Sequence, residues 1–154
     1  MKKNGLFYVL KIARDSWDVR HLKNECKNLN LAKGIEGVTN LIQEYENFKN
    51  YKKPILKEFF DGKEIYLKDP KINKSCIQKK LENTILELHS VGIARLEIES
   101  RNIIVSPEKD NAKIIDLGYG RTYFLWKSHL PLSKFNRMKK KDLKNLEEIF
   151  EKFR

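Results

Sequence analysis

The chain has 154 residues, of which 40% are hydrophobic and 34% charged, and its formal net charge at pH 7 is +11. This composition excludes a disordered chain and predicts one soluble domain around a single core. No apolar run approaches the roughly 20 residues that span a bilayer, and the apolar stretch after Met1 is too short for a signal peptide, so we expect a cytoplasmic protein without a membrane span.

The first half of the chain predicts a small antiparallel sheet and one helix. The aromatic and β-branched run Leu6 to Ile12 favours a buried strand, and Lys11 within it needs a partner. After it, apolar residues at helical spacing predict a helix, and the turn pair Asp61-Gly62 follows another apolar run. The expected elements are strands over 6–12, 38–45 and 55–60, and a helix that starts near Asp15-Ser16 and stops at Lys33-Gly34.

The second half predicts a mainly helical layer with one hairpin. An apolar face of Ile77, Leu81, Ile85 and Leu88 indicates a helix that ends at 89–92. Strands are expected over 102–105 and 112–115, with Asp116-Leu117-Gly118 directly after the second. The following stretch is basic and irregular as far as Lys139-Lys140-Lys141, and a closing amphipathic helix contains Leu143, Leu146, Ile149, Phe150 and Phe153.

The excess of positive charge favours anionic partners such as nucleic acid, nucleotide phosphates or an acidic protein. A surface of mixed lysine and glutamate, as in proteins from hot environments, explains the same charge without any partner. Cys26 and Cys76 lack the spacing of a zinc site or redox pair, so we expect buried free thiols.

Several polar residues follow one another along the chain in an order that is typical of a catalytic site. They are a strand lysine in Val9-Leu10-Lys11, a helix glutamate in Asn24-Glu25, Asn102 before a strand, and Asp116 in Ile115-Asp116-Leu117-Gly118. This order resembles the protein kinases, whose signatures are a strand lysine, a helix glutamate, a catalytic loop ending in asparagine and a D-F-G turn. The segments 55–62, 88–93 and 141–146 are similar to the kinase hinge, the end of the long helix and a later core helix.

The resemblance covers about residues 6–150 and implies an α+β fold, a reduced two-lobe protein-kinase-like fold in one domain, 1–154. Residues 1–60 would form an N-lobe with a small antiparallel sheet and one helix, lacking most of the glycine-rich loop. Residues 61–154 would form a truncated, mainly helical C-lobe.

For the site, the resemblance implies ATP and Mg²⁺. Lys11 would meet the α- and β-phosphates and Glu25 would orient it, while Asn102 and Asp116 would hold the metal. Val9 shares a strand face with Lys11 and would pack on the adenine, with Ile104 as the opposite wall. The hinge residues Glu58, Phe59 and Phe60 would meet the base edge.

The chain departs from the kinase pattern in three places. Only Gly5 stands in for the glycine-rich loop, Glu97 takes the place of the catalytic aspartate, and Glu99 takes that of a lysine. Three functions therefore stay open: a phosphotransferase acting on Ser/Thr hydroxyls with Glu97 as base, a pseudokinase that binds nucleotide or a partner protein, and a nucleic-acid-binding module that uses Lys139, Lys140 and Lys141.

Overall fold

The structure is a computed structural model, and it describes residues 2–3, 6–65, 72–106, 108, 110–123 and 131–152. Its α-helices are α1 (Ser16–Leu31), α2 (Lys74–Ser90) and α3 (Leu132–Glu151). Its strands are β1 (Lys2–Lys3), β2 (Leu6–Lys11), β3 (Leu41–Glu44), β4 (Asn47–Phe48), β5 (Tyr51–Lys52), β6 (Ile55–Glu58), β7 (Lys63–Glu64), β8 (Ile93–Ala94), β9 (Ile103–Ser106), β10 (Asn111–Ile114) and β11 (Arg121–Thr122). The expected α+β class is confirmed.

Four strands in the first half form an antiparallel sheet in the order β1-β2-β6-β3. Val9 pairs with Lys57 and Lys11 with Ile55 across β2 and β6. Paired residues place their side chains on one face of a sheet, so Lys11 and Lys57 point to the same side. That side is where helix α1 packs.

Helix α1 is capped at its N-terminus by Asp15 and has a stripe of buried residues along one face. The Asp15 side chain accepts hydrogen bonds from the backbone of Trp17 and Asp18, both at 2.8 Å, which satisfies two N–H groups of the first turn. The stripe buries Leu22, Cys26 and Leu29, and it includes the carboxylate of Glu25. The predicted stop is also confirmed, because Gly34 takes a φ of +93°, a conformation that glycine adopts without strain.

In the second half, helix α2 packs against both helix α3 and the hairpin β9–β10. Four residues of α2 at helical spacing, Ile77, Leu81, Ile85 and Leu88, have no exposed surface. Leu146 of α3 is equally buried. The predicted hairpin is present, with Ile114 of β10 opposite Ile103 of β9. The short strand β7 adds to its edge.

Two expectations about strands are wrong. The strand at residues 6–11 is not buried, because Leu6 is 61%, Phe7 59% and Val9 40% exposed. Residue Val38 does not begin a strand and forms only an isolated parallel bridge to Ile114. An apolar run of this length does not distinguish a buried strand from one with an exposed face.

The closing helix starts at Leu132, so the basic stretch up to Lys141 is not irregular where the structure describes it. Lysine favours helices, and the seven-residue spacing of Phe135 and Asp142 already marks the buried face. Phe153 and the residues Trp126 and Lys127 lie outside the described residues. No helix in the described ranges is long and apolar enough to cross a membrane.

The two cysteines differ. Cys26 is buried and donates to the Glu44 carboxylate at 3.1 Å. Burial, with the nearby Glu44 carboxylate, raises the pKa of the Cys26 thiol to about 12. Cys76 is only partly buried, so the expectation of two buried thiols holds for Cys26 alone.

Candidate functional site

Lys11, Glu25 and Asp116 come together from three different elements. The Lys11 ammonium lies 2.6 Å from Oε2 of Glu25 and 2.7 Å from Oδ2 of Asp116. Glu25 is 1% exposed and Asp116 about a quarter exposed, so the cluster runs from the interior to the surface. Three of the four residues predicted to hold Mg²⁺-nucleotide are therefore in direct contact.

A second lysine, which was not predicted as a site residue, completes the cluster. Lys57 donates from Nζ to Oε1 of Glu25 at 2.6 Å and to the Ile115 carbonyl at 2.5 Å. Each Glu25 oxygen thus has its own ammonium partner. A buried carboxylate costs several kcal/mol unless it is paired, and here two cations share that role.

The cluster holds Lys11 and Asp116 in their charged forms. Burial alone would lower the pKa of Lys11, but the carboxylates of Glu25 and Asp116 outweigh it and raise that pKa above its ordinary value. Burial alone would raise the pKa of Asp116, but Lys11, the Gly118 N–H and Lys57 lower it. Both groups are therefore ionised at neutral pH.

The turn after Asp116 is fastened to helix α1. Oδ1 of Asp116 accepts from the Gly118 N–H at 2.7 Å, which closes the turn on itself. Asn24 donates to the carbonyls of Gly118 and Gly120, at 2.5 and 2.9 Å. Asn28, which is fully buried, donates to the Leu117 carbonyl at 2.7 Å. One face of α1 thus positions Glu25 and the Asp116 turn together.

Asn102 and Glu97 lie next to this turn. The Ile115 N–H donates to the Asn102 carbonyl at 3.0 Å, which places Asn102 beside Asp116. The Asn102 amide nitrogen donates to the Glu97 carbonyl at 3.0 Å, so its amide oxygen remains as an acceptor. Burial raises the pKa of Glu97, with further contributions from Glu99 and Asp116, and together these outweigh the opposing effects of Arg101 and of the Asn102 side chain. The structure thus places the two predicted metal ligands and the predicted base side by side.

The loop that carries Glu97 is anchored by a buried aspartate of α3. Asp142 accepts from the backbone N–H groups of Arg95 and Leu96, both at 2.9 Å, and lies 3.0 Å from Nε2 of His89. Arg95 and Glu97 have φ of 61° and 50°, a left-handed conformation that costs a non-glycine residue about 1–3 kcal/mol. Asp142 therefore offsets backbone strain beside Glu97.

The hinge residues have mixed surroundings. The Glu58 carboxylate binds Lys113 at 2.8 Å, so its side chain joins β6 to the hairpin. Phe59 is 46% exposed and its ring lies 6.0 Å from that of Phe7. Because Phe7, Val9 and Phe59 share the sheet face of Lys11, an exposed apolar strip adjoins the charge cluster. Ile104 is partly buried on β9 and faces Lys113 across the hairpin.

Gly62 marks the close approach between the hinge and β9. A Cβ atom there would overlap the Val105 carbonyl oxygen and would lie 2.8 Å from Cγ2 of Ile104. Only glycine fits without moving the backbone. The Asp61-Gly62 pair noted in the sequence therefore lies directly against the backbone of β9.

The donor set suits Mg²⁺ only together with a phosphate ligand. Among the described residues, no group of three or more His, Cys, Asp or Glu side chains could hold a metal ion. Asp116 and the Asn102 amide supply two hard oxygens, and Mg²⁺ is commonly bound by one or two protein oxygens plus substrate phosphates and water. The residues fit that mode of binding.

No model of a known protein family matches the chain.

Two residues that build the site carried a signal in the sequence. Lys57 interrupts the apolar run Ile55-Leu56 in the way that Lys11 interrupts its own strand, and Asp142 stands on the apolar stripe of α3 four residues before Leu146. A charge on an apolar face requires a partner, and both have one.

The paired lysines predict non-additive stability. Lys57→Met should destabilise the chain by about 1–3 kcal/mol, because Glu25 keeps only one cation and the Ile115 carbonyl loses its donor. Glu25→Gln should cost a similar amount. The double variant should cost at least about 1 kcal/mol less than the sum, as measured by urea unfolding.

The exposed Lys52→Met serves as the matched control and should change the free energy of unfolding by less than about 0.5 kcal/mol. Strictly additive effects of Lys57→Met and Glu25→Gln would show that the pair is not coupled.

Proposed function

We propose that this chain is a reduced protein-kinase-like domain that binds ATP with Mg²⁺ and transfers phosphate to a hydroxyl group. The observation that carries the proposal is the contact of Lys11 with both Glu25 and Asp116. In active kinases the strand lysine pairs with the helix glutamate, and the aspartate of the D-F-G turn holds the metal. Three elements far apart in sequence supply these same groups here.

The fold is compatible with two lobes. The β1-β2-β6-β3 sheet with α1 would form the smaller lobe, and α2, α3 and the β9–β10 hairpin would form the larger one. The segment 59–62, which runs from β6 to β7, would be the hinge. The exposed strip of Phe7, Val9 and Phe59 next to Lys11 supports the proposed adenine site, because exposed apolar surface beside a polar cluster is typical of ligand clefts.

The residues of the cluster would have different roles in binding the nucleotide. Mg²⁺-ATP, when bound, supplies the phosphoryl group and the metal that neutralises its charge. Asp116 would turn from Lys11 to the metal together with the Asn102 amide oxygen, which frees the Lys11 ammonium for the phosphates. Lys57 would keep Glu25 neutralised during this exchange, so Glu25 still orients Lys11.

Glu97 would accept the proton of the attacking hydroxyl. Its loop is fixed by Asp142 and its carboxylate is about a quarter exposed, next to Asn102. A base is most effective when its pKa is near the working pH, and the raised pKa of Glu97 moves it in that direction. Arg101 contacts Glu99 at 2.8 Å and so offsets the second carboxylate. These contacts favour the enzyme over the pseudokinase.

The nucleotide site predicts a magnesium-dependent stabilisation. At a hundredfold excess of ATP over its dissociation constant, the wild-type chain should gain about 2.7 kcal/mol, and about 2–4 °C in Tm for each kcal/mol. Asp116→Asn should lose the part that needs Mg²⁺. The control Asp110→Asn changes the same group in an exposed turn and should behave like the wild type. A wild-type Tm that does not move at millimolar Mg²⁺-ATP would sink the proposal.

Phosphoryl transfer separates the enzyme from the pseudokinase. Glu97→Gln should lower the incorporation of labelled phosphate by about 10²- to 10⁴-fold, while the stabilisation by Mg²⁺-ATP is retained. The wild-type rate should fall as the pH drops through the raised pKa of Glu97, above the ordinary value of 4.5, because only the carboxylate accepts a proton. Equal transfer in both chains would remove Glu97 as base, and binding without transfer in the wild type would identify a pseudokinase.

A further inference from the structure

Two neighbouring cavities beside Glu97 share part of their lining. The first, of about 310 Å³, is lined by Arg20 and Arg121 together with Trp17. The second, of about 460 Å³, is lined by Lys134 and Lys141 together with Glu97. Arg95 and Tyr119 line both, so the two cavities form one groove that runs from the start of α1 past Glu97 to α3. We call it the basic groove.

The basic groove has five cationic side chains whose charges are not neutralised. They are Arg20, Arg95, Arg121, Lys134 and Lys141. None of the five forms an ion pair in the part of the chain that the structure describes. Three carboxylates also line it, and all three have partners: Glu97 also lies 3.9 Å from Arg101. Glu99 is held by Arg101, and Asp142 by His89 and two backbone N–H groups. The groove therefore favours a ligand with several negative charges.

The same groove exposes aromatic rings that the core does not use. Trp17 is 53% exposed, and its ring lies 3.7 Å from that of His21, measured between centroids. The His21 ring is in turn 4.5 Å from that of Tyr119. Trp17 is thus the exposed end of a row in which His21 and Tyr119 are partly buried. An exposed ring beside unpaired cations suits single-stranded nucleic acid, because phosphates meet the cations and bases stack on the ring.

Helix α3 presents its charges to the groove on one face. Lys134, Met138, Lys141 and Asn145 are three or four residues apart and line the same cavity. The neighbouring Lys139 lies over the Phe135 ring, at 5.9 Å, and does not line the cavity. Consecutive helical residues point about 100° apart, so Lys139, Lys140 and Lys141 are not one patch. Of the three, Lys141 lines the groove.

We propose that the basic groove binds a single-stranded nucleic acid, and that a hydroxyl of this strand is the phosphate acceptor. The second part rests on the proposed function. A strand in the groove would pass the Glu97 carboxylate, which lines the cavity between Arg95 and Lys141. The hydroxyl oxygen would form a bond to the γ-phosphorus of ATP, the bond to ADP would break, and the proton would go to Glu97.

Anisotropy of fluorescein-labelled single-stranded RNA and DNA oligonucleotides of one sequence tests the binding. One double variant, Arg20→Gln with Arg121→Gln, neutralises one end of the groove, and another, Lys134→Gln with Lys141→Gln, neutralises the other end. Each should lower the affinity for the oligonucleotide. Each should also reduce the slope of log K against log salt by about one for each phosphate that is no longer neutralised. The matched control, Lys33→Gln with Lys79→Gln, removes two exposed charges elsewhere and should leave the slope nearly unchanged.

Stacking gives a second, independent readout. Trp17→Leu should weaken binding by about 5- to 150-fold per stacked base, with the salt slope unchanged, because the ring makes no charge contact. Because Trp17 is exposed, the variant should fold as the wild type does, and its Tm checks this directly. A poly-glutamate peptide labelled in the same way should bind more weakly than either oligonucleotide.

Four outcomes would overturn the groove proposal. The first is that no oligonucleotide binds at about 0.15 M salt, and the second is that the control pair weakens oligonucleotide binding as much as the groove variants do. The third is that Trp17→Leu reduces the salt slope as much as the charge variants do. The fourth is tighter binding of the acidic peptide, which would identify a protein partner. If the wild-type chain binds no nucleotide while it still binds RNA in the groove, the proposed function alone is removed. Labelled phosphate found on the oligonucleotide, and absent with Lys134→Gln and Lys141→Gln, would support the acceptor assignment; label only on protein would refute it.

Discussion

The rest of the site depends on the ion pairs of the buried Glu25 carboxylate. It faces Lys11 from β2 and Lys57 from β6, both at 2.6 Å, and Lys57 continues to the Ile115 carbonyl beside Asp116. Helix α1, the sheet and the Asp116 turn are therefore fixed relative to one another by charge. A buried ion pair stabilises little on a net basis, but breaking one leaves an uncompensated charge, so this cluster enforces one arrangement of the three elements.

A second buried carboxylate, that of Asp142, performs the same function at the other end of the site. It joins α3 and α2, through His89, to the strained loop at Arg95 and Glu97. Between the two anchors lie Asn102 and Asp116, which hold each other's segments through the backbone bond from Ile115 to Asn102. The Glu97 loop is thus held between these two anchors, and Glu97 itself lines the basic groove.

Much of this was predictable from the sequence, because regular elements and single charges in apolar runs follow local rules. The helices α1 and α2 and the hairpin β9–β10 were predicted from residue spacing, and the meeting of Lys11 with Glu25 was predicted from the resemblance to protein kinases. The burial of β2 was predicted wrongly, since a strand with exposed apolar residues can have the same composition as a core strand. Asn28 was missed because its partner is distant in sequence. Lys57 and Asp142 stand on apolar faces, which signals that each needs a partner, but no local pattern specifies which group that partner is. The groove is lined by residues of α1, of the Arg95 loop and of α3, which only the tertiary structure brings together.

A crystal structure of the chain with Mg²⁺ and a non-hydrolysable ATP analogue is the most direct test of the nucleotide site. We expect that the Lys11 ammonium leaves Asp116 and meets the phosphates, that Asp116 and Asn102 bind the metal, and that the pair Lys57–Glu25 stays as it is. A nucleotide bound away from Lys11, or an unchanged contact between Lys11 and Asp116 with nucleotide present, would contradict this arrangement.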